Sequence, residues 1–165
     1  MTVGAALFLL FLVAQRLGEL AIARRNTARL MMAGAVEHGA AHYPAIVALH
    51  AAWIVAMIAW GYDETLNLFW LAPFVILQAA RLWVLATLGP RWTTRIIAVP
   101  GETLVARGPF RLVPHPNYAV VVAEIVVAPL VLGLPWIAAL FGAANVALLL
   151  LVRIPAEERA LGLRD

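Results

Sequence analysis

The sequence lacks cysteine, lysine and serine entirely, and only 13% of its 165 residues are charged. These absences exclude disulfides, thiolate metal ligands, cysteine and serine nucleophiles, and Schiff-base lysines. A typical soluble domain has roughly a quarter of its residues charged. Here 64% of the residues are hydrophobic and the mean hydropathy is +0.92, so charged groups are too few to cover a water-facing surface. The composition therefore excludes an ordinary soluble enzyme and a disordered chain.

Long apolar runs fill most of the sequence, and a membrane-spanning helix requires about 20 such residues. Five segments meet this requirement approximately: residues 3–23, 43–60, 66–88, 118–134 and 136–152. The first is no cleavable signal, because no positive region precedes it and it reaches full spanning length. Gly133-Leu134-Pro135 predicts a tight turn between the last two spans. We therefore predict a single-domain, all-α integral membrane protein with five transmembrane helices.

The arginines are distributed unevenly between the ends of these spans. They follow the first, third and fifth spans, as Arg24, Arg25, Arg29, Arg91, Arg95, Arg107, Arg111, Arg153, Arg159 and Arg164. The turn after the second span is acidic and contains no arginine, and the turn after the fourth has no charge. The positive-inside rule then places the N-terminus outside and the C-terminus in the cytoplasm.

The longest polar insertion, residues 89–117, separates the third and fourth spans and falls on the predicted cytoplasmic side. Residues 95–99 and 103–106 flank Pro100-Gly101-Glu102, which predicts a short β-hairpin. In so small a membrane protein, this face is the one substantial place to build a site.

Ionisable residues inside apolar spans cost roughly 2.5–3.5 kcal/mol each and are therefore candidate functional residues. Arg16 and Glu19 are three apart on the first span and can pair. We call this group of polar residues in the apolar helices the polar seam, and we expect it to include Glu37, His42 and His50 as well. Either these residues pack the helices together or they recognise a substrate.

Glu124 in the fourth span also needs a partner, because a bare carboxylate would be protonated in an apolar surrounding. Gln78 and Arg81 lie in the third span, and Arg81 or Arg153 is the expected partner of Glu124. Both a structural clamp between helices and a functional role remain open.

Polar residues are densest around the last two spans. His115-Pro116-Asn117-Tyr118 stands at the start of the fourth, where a helix N-terminus favours an anion. Arg153 and Glu157 follow the fifth span four residues apart, with Glu158 adjacent. Alone, the second group fits an ordinary ion pair at a helix end.

Several common sites are excluded by the motifs that the sequence lacks. There is no HExxH motif, and the four histidines are not at metal-ligand spacing, so we expect no metal. No strand is followed by GxGxxG, and no aromatic and basic platform favours nucleic acid.

Four motifs occur in order: Glu102-Thr103-Leu104-Val105, Gly108-Pro109-Phe110-Arg111, His115-Pro116-Asn117-Tyr118, and Arg153 followed by Glu157, Glu158 and Leu161. Together they resemble the signature of the isoprenylcysteine carboxyl methyltransferase family, integral membrane enzymes that use S-adenosyl-L-methionine. The resemblance covers residues 91–161. The N-terminal half is similar to small bacterial members, some of which are associated with methylating phenolic or pyrone lipids.

The resemblance implies a role for each matching position. Residues 89–165 would bind the cofactor, S-adenosyl-L-methionine, and residues 1–88 would recognise the acceptor. The implied cofactor-binding residues are Glu102, Thr103, Leu104, Val105, Phe110, His115, Pro116, Asn117, Tyr118 and Glu157. Arg153 would face the acceptor. This chain has Pro114 where many members have arginine, and Glu102 where histidine is common.

The implied reaction is methyl transfer to an oxygen of a lipophilic acceptor at the cytoplasmic membrane face, in a bacterial inner membrane. Arg153 is expected to orient a carboxylate or phenolate. For a phenol or enol, Glu158, Glu124 and His50 are candidate bases, in falling order. Glu19 and His50, with Glu124, are expected to contact the acceptor. The alternatives are esterification of prenylcysteine carboxylates, thiol methylation, or a membrane subunit or carrier without enzymatic activity.

Overall fold

The helices follow the apolar runs, and short polar or proline-containing segments end them. The computed structural model describes residues 2–163, so Arg164 lies outside the described residues. The helices are α1 (Val3–Met32), α2 (Tyr43–Gly61), α3 (Leu68–Leu88), α4 (Pro116–Val131), α5 (Pro135–Leu148) and α6 (Ile154–Ala160). Thr2 caps α1 by accepting a hydrogen bond from the Ala5 amide, and Asn67 caps α3 in the same way at Phe69.

Within the described residues, four helices are long and apolar enough to cross a membrane. With their flanking turns they are Val3–Met32, Ala40–Gly61, Leu68–Arg91 and Pro135–Ala160. The remaining predicted span corresponds to α4, whose 16 residues extend only about 24 Å, less than the roughly 30 Å of a bilayer core. Helix α1 continues past the predicted span to Met32, and the stretch from α5 to α6 continues to Ala160. In both cases polar residues extend the helix beyond its apolar part.

The structure is mostly helical, as predicted, but its one two-stranded sheet in the described residues is not the predicted hairpin. Strand β1 (Val36–His38) pairs antiparallel with strand β2 (Ile96–Ala98), with Glu37 opposite Ile97. The predicted hairpin is therefore wrong, because residues 103–106 form no strand and β2 takes its partner from the segment after α1. This sheet, the 89–115 segment and α6 lie where α1 and α3 end and α2 and α4 begin. We call this the loop end of the bundle.

The core is apolar, as in a soluble protein, but the outer surface of the helices is apolar as well. Trp53, Met57, Ile125 and Ile137 are fully buried in the core that α1 to α5 share, and the Trp53 indole donates to the Ile125 carbonyl. Large apolar side chains also cover the outside of the helices, among them Leu10, Phe69, Ile76 and Leu151. An apolar exterior over apolar helices fits lipid as the surrounding medium.

A cluster of four charged side chains, the charge cluster, joins α1, α3 and α4 inside the bundle. Arg81 binds Glu19 through Nε at 2.6 Å and Nη2 at 3.2 Å. Arg16 bridges Glu19 at 2.9 Å and Glu124 at 2.8 Å, and Arg81 also lies 3.2 Å from Glu124. The two guanidinium groups balance the two carboxylates, so the cluster is neutral as a whole.

The cluster settles which partners the buried charges have. The Arg16–Glu19 pair is confirmed, and of the two partners expected for Glu124, the structure selects Arg81 and not Arg153. Gln78 donates to Glu124 at 2.9 Å and Gln15 to Glu19 at 3.0 Å. Glu37 does not belong to this seam, because it pairs with Arg95 at 2.7 Å beside the sheet.

Removal of one cation should destabilise the bundle strongly. We expect Arg81→Leu to lower the free energy of unfolding by about 3 kcal/mol or more, because it leaves excess negative charge buried without a partner. Denaturant titration in detergent micelles, followed by circular dichroism, measures this. As the control, Arg91→Leu breaks the half-exposed pair with Glu102 and should change stability by about 1 kcal/mol or less. Equal losses in the two variants would contradict the assignment.

Candidate active site

The start of α4 has an unusual backbone conformation. His115, immediately before the first helical residue Pro116, adopts the left-handed conformation at φ 50° and ψ 52°, the only described non-glycine residue with positive φ. Such a conformation is strained for a residue with a side chain, by roughly 1–3 kcal/mol, and is typical of functional sites. It places the His115 ring in a stack with Tyr118, with centroids 5.6 Å apart, and its Nε2 atom 3.3 Å from Glu158.

A π turn between α5 and α6 positions the arginine of the site. Residues Leu149–Arg153 form this turn, which inserts an extra residue and rotates the helix that follows. Arg153 is only 6% exposed. Its Nε donates to the Tyr118 hydroxyl at 2.9 Å and its Nη2 to the Thr94 carbonyl at 3.0 Å.

The Tyr118 hydroxyl connects two residues that the sequence suggested as a direct pair. It accepts from Arg153 and donates to the Glu157 carboxylate. Arg153 and Glu157 thus contact each other through the tyrosine, which joins α4, the π turn and α6. Tyr43 extends the network, because its hydroxyl lies 2.9 Å from the Thr94 hydroxyl.

Two cavities meet at this network. The inner cavity, of about 280 Å³, lies within the bundle and is mostly apolar, with Val13, Leu17, Ile46, Val47 and Leu148 in its wall. The loop cavity, of about 890 Å³, lies at the loop end between β2, residues 99–106, the start of α4 and α6.

The two cavities share one wall, which we call the shared wall. It consists of Trp92, Thr93, Asn117, Tyr118 and Arg153. A molecule in the loop cavity and one in the inner cavity would therefore meet at Tyr118 and Arg153. Such an arrangement suits the transfer of a group between a polar and an apolar reactant.

Most residues predicted to bind the cofactor line the loop cavity. They are Glu102, Thr103, Leu104, Val105, Phe110, His115, Asn117, Tyr118 and Glu157. Pro116 does not line it; it is buried at the beginning of α4. Glu102 forms an ion pair with Arg91, which also donates to the Thr103 carbonyl at 2.8 Å. The side chain that replaces the common histidine therefore holds the 103–105 segment against residue 91.

The residues predicted to contact the acceptor are divided. Arg153, Glu19 and His50 line the inner cavity. Glu124 does not, because Arg16, Gln78 and Arg81 surround its carboxylate. Glu158 lines neither cavity and lies beside His115. Its role as a base stays a prediction that this geometry does not favour.

Sequence reasoning overlooked several residues of these cavities, among them Trp92, Thr93, Thr94 and Asn145. Trp92, Thr93 and Thr94 reach the site only through the path of the insertion, for which the sequence carries no clear signal. Asn145 of α5, in contrast, is a polar residue in an apolar span, and that alone could have identified it. It is 1% exposed and lines the inner cavity.

Comparison with known proteins identifies the family. The model of the isoprenylcysteine carboxyl methyltransferase family matches residues 69–162, which contain all of α3 but its first residue, α4 to α6 and every motif of the site. The chain belongs to this family. Membership in the isoprenylcysteine carboxyl methyltransferase family makes it a membrane methyltransferase by descent. The uncharacterized protein YpbQ of Bacillus subtilis (strain 168) is 39% identical over 160 residues, which cover 94% of this chain and 95% of YpbQ.

The central position of the Tyr118 hydroxyl predicts a cost when it is removed. We expect Tyr118→Phe to lower the free energy of unfolding by about 1–3 kcal/mol, because Arg153 and Glu157 each lose a hydrogen bond. Thermal unfolding in detergent measures the change. Tyr62→Phe is the matched control, since Tyr62 is exposed and its variant should match the wild type. If the two variants are equally stable, the tyrosine does not join the two charged groups.

Proposed function

We propose that this protein transfers a methyl group from S-adenosyl-L-methionine to an oxygen of a lipophilic acceptor, at the cytoplasmic face of the membrane. The observation that carries the proposal is the shared wall. The loop cavity, which is lined by both polar and apolar groups, and the mostly apolar inner cavity meet there at one buried arginine and one tyrosine. A water-soluble donor can enter the first cavity, and an acceptor dissolved in the bilayer can enter the second.

The residues of the loop cavity fit this cofactor. Its volume of about 890 Å³ falls in the range of sites for small molecules and cofactors. The Trp92 indole nitrogen, in the shared wall, is buried and has no hydrogen-bond partner among the described residues. It would donate to the carboxylate of the cofactor, and Glu157 would hold a second polar part. When bound, the cofactor would supply a methyl group on a sulfonium; an oxygen lone pair of the acceptor forms the new C–O bond while the C–S bond breaks, and the sulfur leaves as a neutral thioether.

Arg153 would orient the acceptor oxygen. Two of its nitrogens are occupied by Tyr118 and Thr94, and the third, Nη1, is buried without a partner in the described part of the chain. This nitrogen would donate to a carboxylate, phenolate or enolate and stabilise its anionic form. The mostly apolar wall of the inner cavity would limit the contact of this oxygen with water, so the protein would act mainly by aligning two reactants.

The same geometry limits the choice of base. Glu124 is held within the charge cluster, and Glu158 lies beside His115 rather than in either cavity. An acceptor that is already anionic, or one whose hydroxyl is acidified by Arg153, needs no base in the inner cavity. The proposal therefore favours acidic oxygens, such as carboxylates, phenols and enols, over simple alcohols.

Measurements of binding and turnover should distinguish the role of Glu157 in holding the cofactor from the role of Arg153 in orienting the acceptor. Titration of S-adenosylhomocysteine into the purified protein by calorimetry should show binding that Glu157→Gln weakens about tenfold or more, because a charged hydrogen-bond partner is lost. Arg153→Gln should weaken product binding less than Glu157→Gln does, but it should lose most methyl transfer from labelled cofactor to a membrane lipid extract.

The control for both measurements is Glu64→Gln. Glu64 is exposed before α3 and distant in sequence from every residue of the two cavities, so this variant should match the wild type. Absence of binding at millimolar ligand to folded protein would overturn the proposal and favour a membrane subunit without enzymatic activity. A prenylcysteine acceptor in the same assay tests the alternative of carboxyl esterification.

A further inference from the structure

We propose that the inner end of the inner cavity is a second recognition site, where Asn145 and His50 bind a hydroxyl group of the acceptor about 10 Å from its methylated oxygen. The inference rests on the proposed function, since it assigns the inner cavity to the acceptor. It narrows the acceptor to an amphiphile that carries two oxygens, of which only one is methylated.

The first observation is an incomplete hydrogen bond. The amide nitrogen of Asn145 is buried and has no partner among the described residues, although the residue lies in the wall of the inner cavity. An unpaired donor in a largely apolar cavity is costly. An acceptor oxygen on a bound molecule would complete it.

The second observation is that His50 offers the complementary group. Its Nδ1 lies 2.8 Å from the Ile46 carbonyl, which can only accept, so in the neutral ring Nδ1 carries the proton. The other ring nitrogen, Nε2, is then an acceptor, and His50 also lines the inner cavity. A donor from α5 and an acceptor from α2 together match a hydroxyl, which accepts and donates at once.

The third observation is the depth of this pair below the shared wall. Asn145 precedes Arg153 by eight residues along α5 and the π turn, which corresponds to roughly 12 Å at the rise of an α-helix. His50 follows Tyr43 by seven residues on α2, or about 10 Å, and Tyr43 contacts Thr94, which binds Arg153. Two helices therefore give the same separation between the pair and the reacting end.

Charge favours a neutral group at this depth. Arg16, Glu19 and Arg81 of the charge cluster line the same cavity, and their charges are already balanced together with Glu124. A second ionised group on the acceptor would disturb this balance, whereas a hydroxyl would not. Arg81 Nη1, which is also unpaired among the described residues, could add a further hydrogen bond to the hydroxyl oxygen.

The test uses two para-alkylphenols of equal chain length, one of which carries a terminal hydroxyl about 10 Å from the phenolic oxygen. We expect the wild type to methylate the hydroxylated compound with a kcat/KM about tenfold higher or more, because the site would leave polar groups unpaired with the other. Asn145→Leu, which keeps the shape of the side chain, should abolish this preference while it still methylates the plain phenol.

Two further variants serve as a control and as a substitute for Asn145→Leu. Val121→Ala changes only an apolar part of the cavity wall, so both compounds should change in parallel. If Asn145→Leu does not fold, His50→Phe should remove the same preference. A wild type without preference, or a preference that survives both polar variants, would overturn the inference.

Failure of the proposed function gives a different result. If neither phenol is methylated, the same pair is compared as ligands by the shift in thermal unfolding. One result is that the hydroxylated compound stabilises the wild type more than the plain phenol does, and that Asn145→Leu removes this difference. That result would support the inner site and would reject only the proposed methyl transfer. Equal stabilisation by the two compounds would reject the inner site.

Discussion

The fold depends on the rule that a charge inside a lipid-surrounded bundle must have a partner. Arg16, Glu19, Arg81 and Glu124 obey it by contacting one another, and in doing so they tie α1, α3 and α4 together at one level. Apolar packing alone gives weak specificity inside a membrane, because lipid tails are as apolar as the helices. The charge cluster fixes the relative positions of the helices and closes one side of the inner cavity.

The site at the loop end obeys the same rule with one difference. Arg153 and Glu157 are connected through the Tyr118 hydroxyl, yet one guanidinium nitrogen is left without a protein partner in the described chain. In the charge cluster the carboxylates use both of their oxygens. Arg16 and Arg81 also have an unpaired nitrogen among the described residues, but each of them contacts both carboxylates of the charge cluster. Arg153 instead binds a hydroxyl and a carbonyl, so it is the arginine prepared to bind an anion.

The sequence was most informative where a single physical property decides. Hydropathy located the helices, and the ordered motifs led to Tyr118, Arg153 and Glu157. Spacing predicted the Arg16–Glu19 pair correctly, since three residues on a helix face the same way. Sequence reasoning failed for the partner of β2, because strand pairing is decided by tertiary contacts that no local pattern encodes. It also failed for the Arg153–Glu157 contact, because the Tyr118 hydroxyl from α4 lies between the two charged groups.

That π turn has a consequence for how the protein can vary. A regular helix would lock the orientation of every residue from Pro135 to Ala160 to that of its predecessor. The inserted residue changes the rotation of α6 relative to α5, so the apolar helix and the helix that carries Glu157 do not share one register. Substitutions that adapt α5 to a different apolar neighbour can therefore leave Glu157 beside its tyrosine, and the two helices can vary separately.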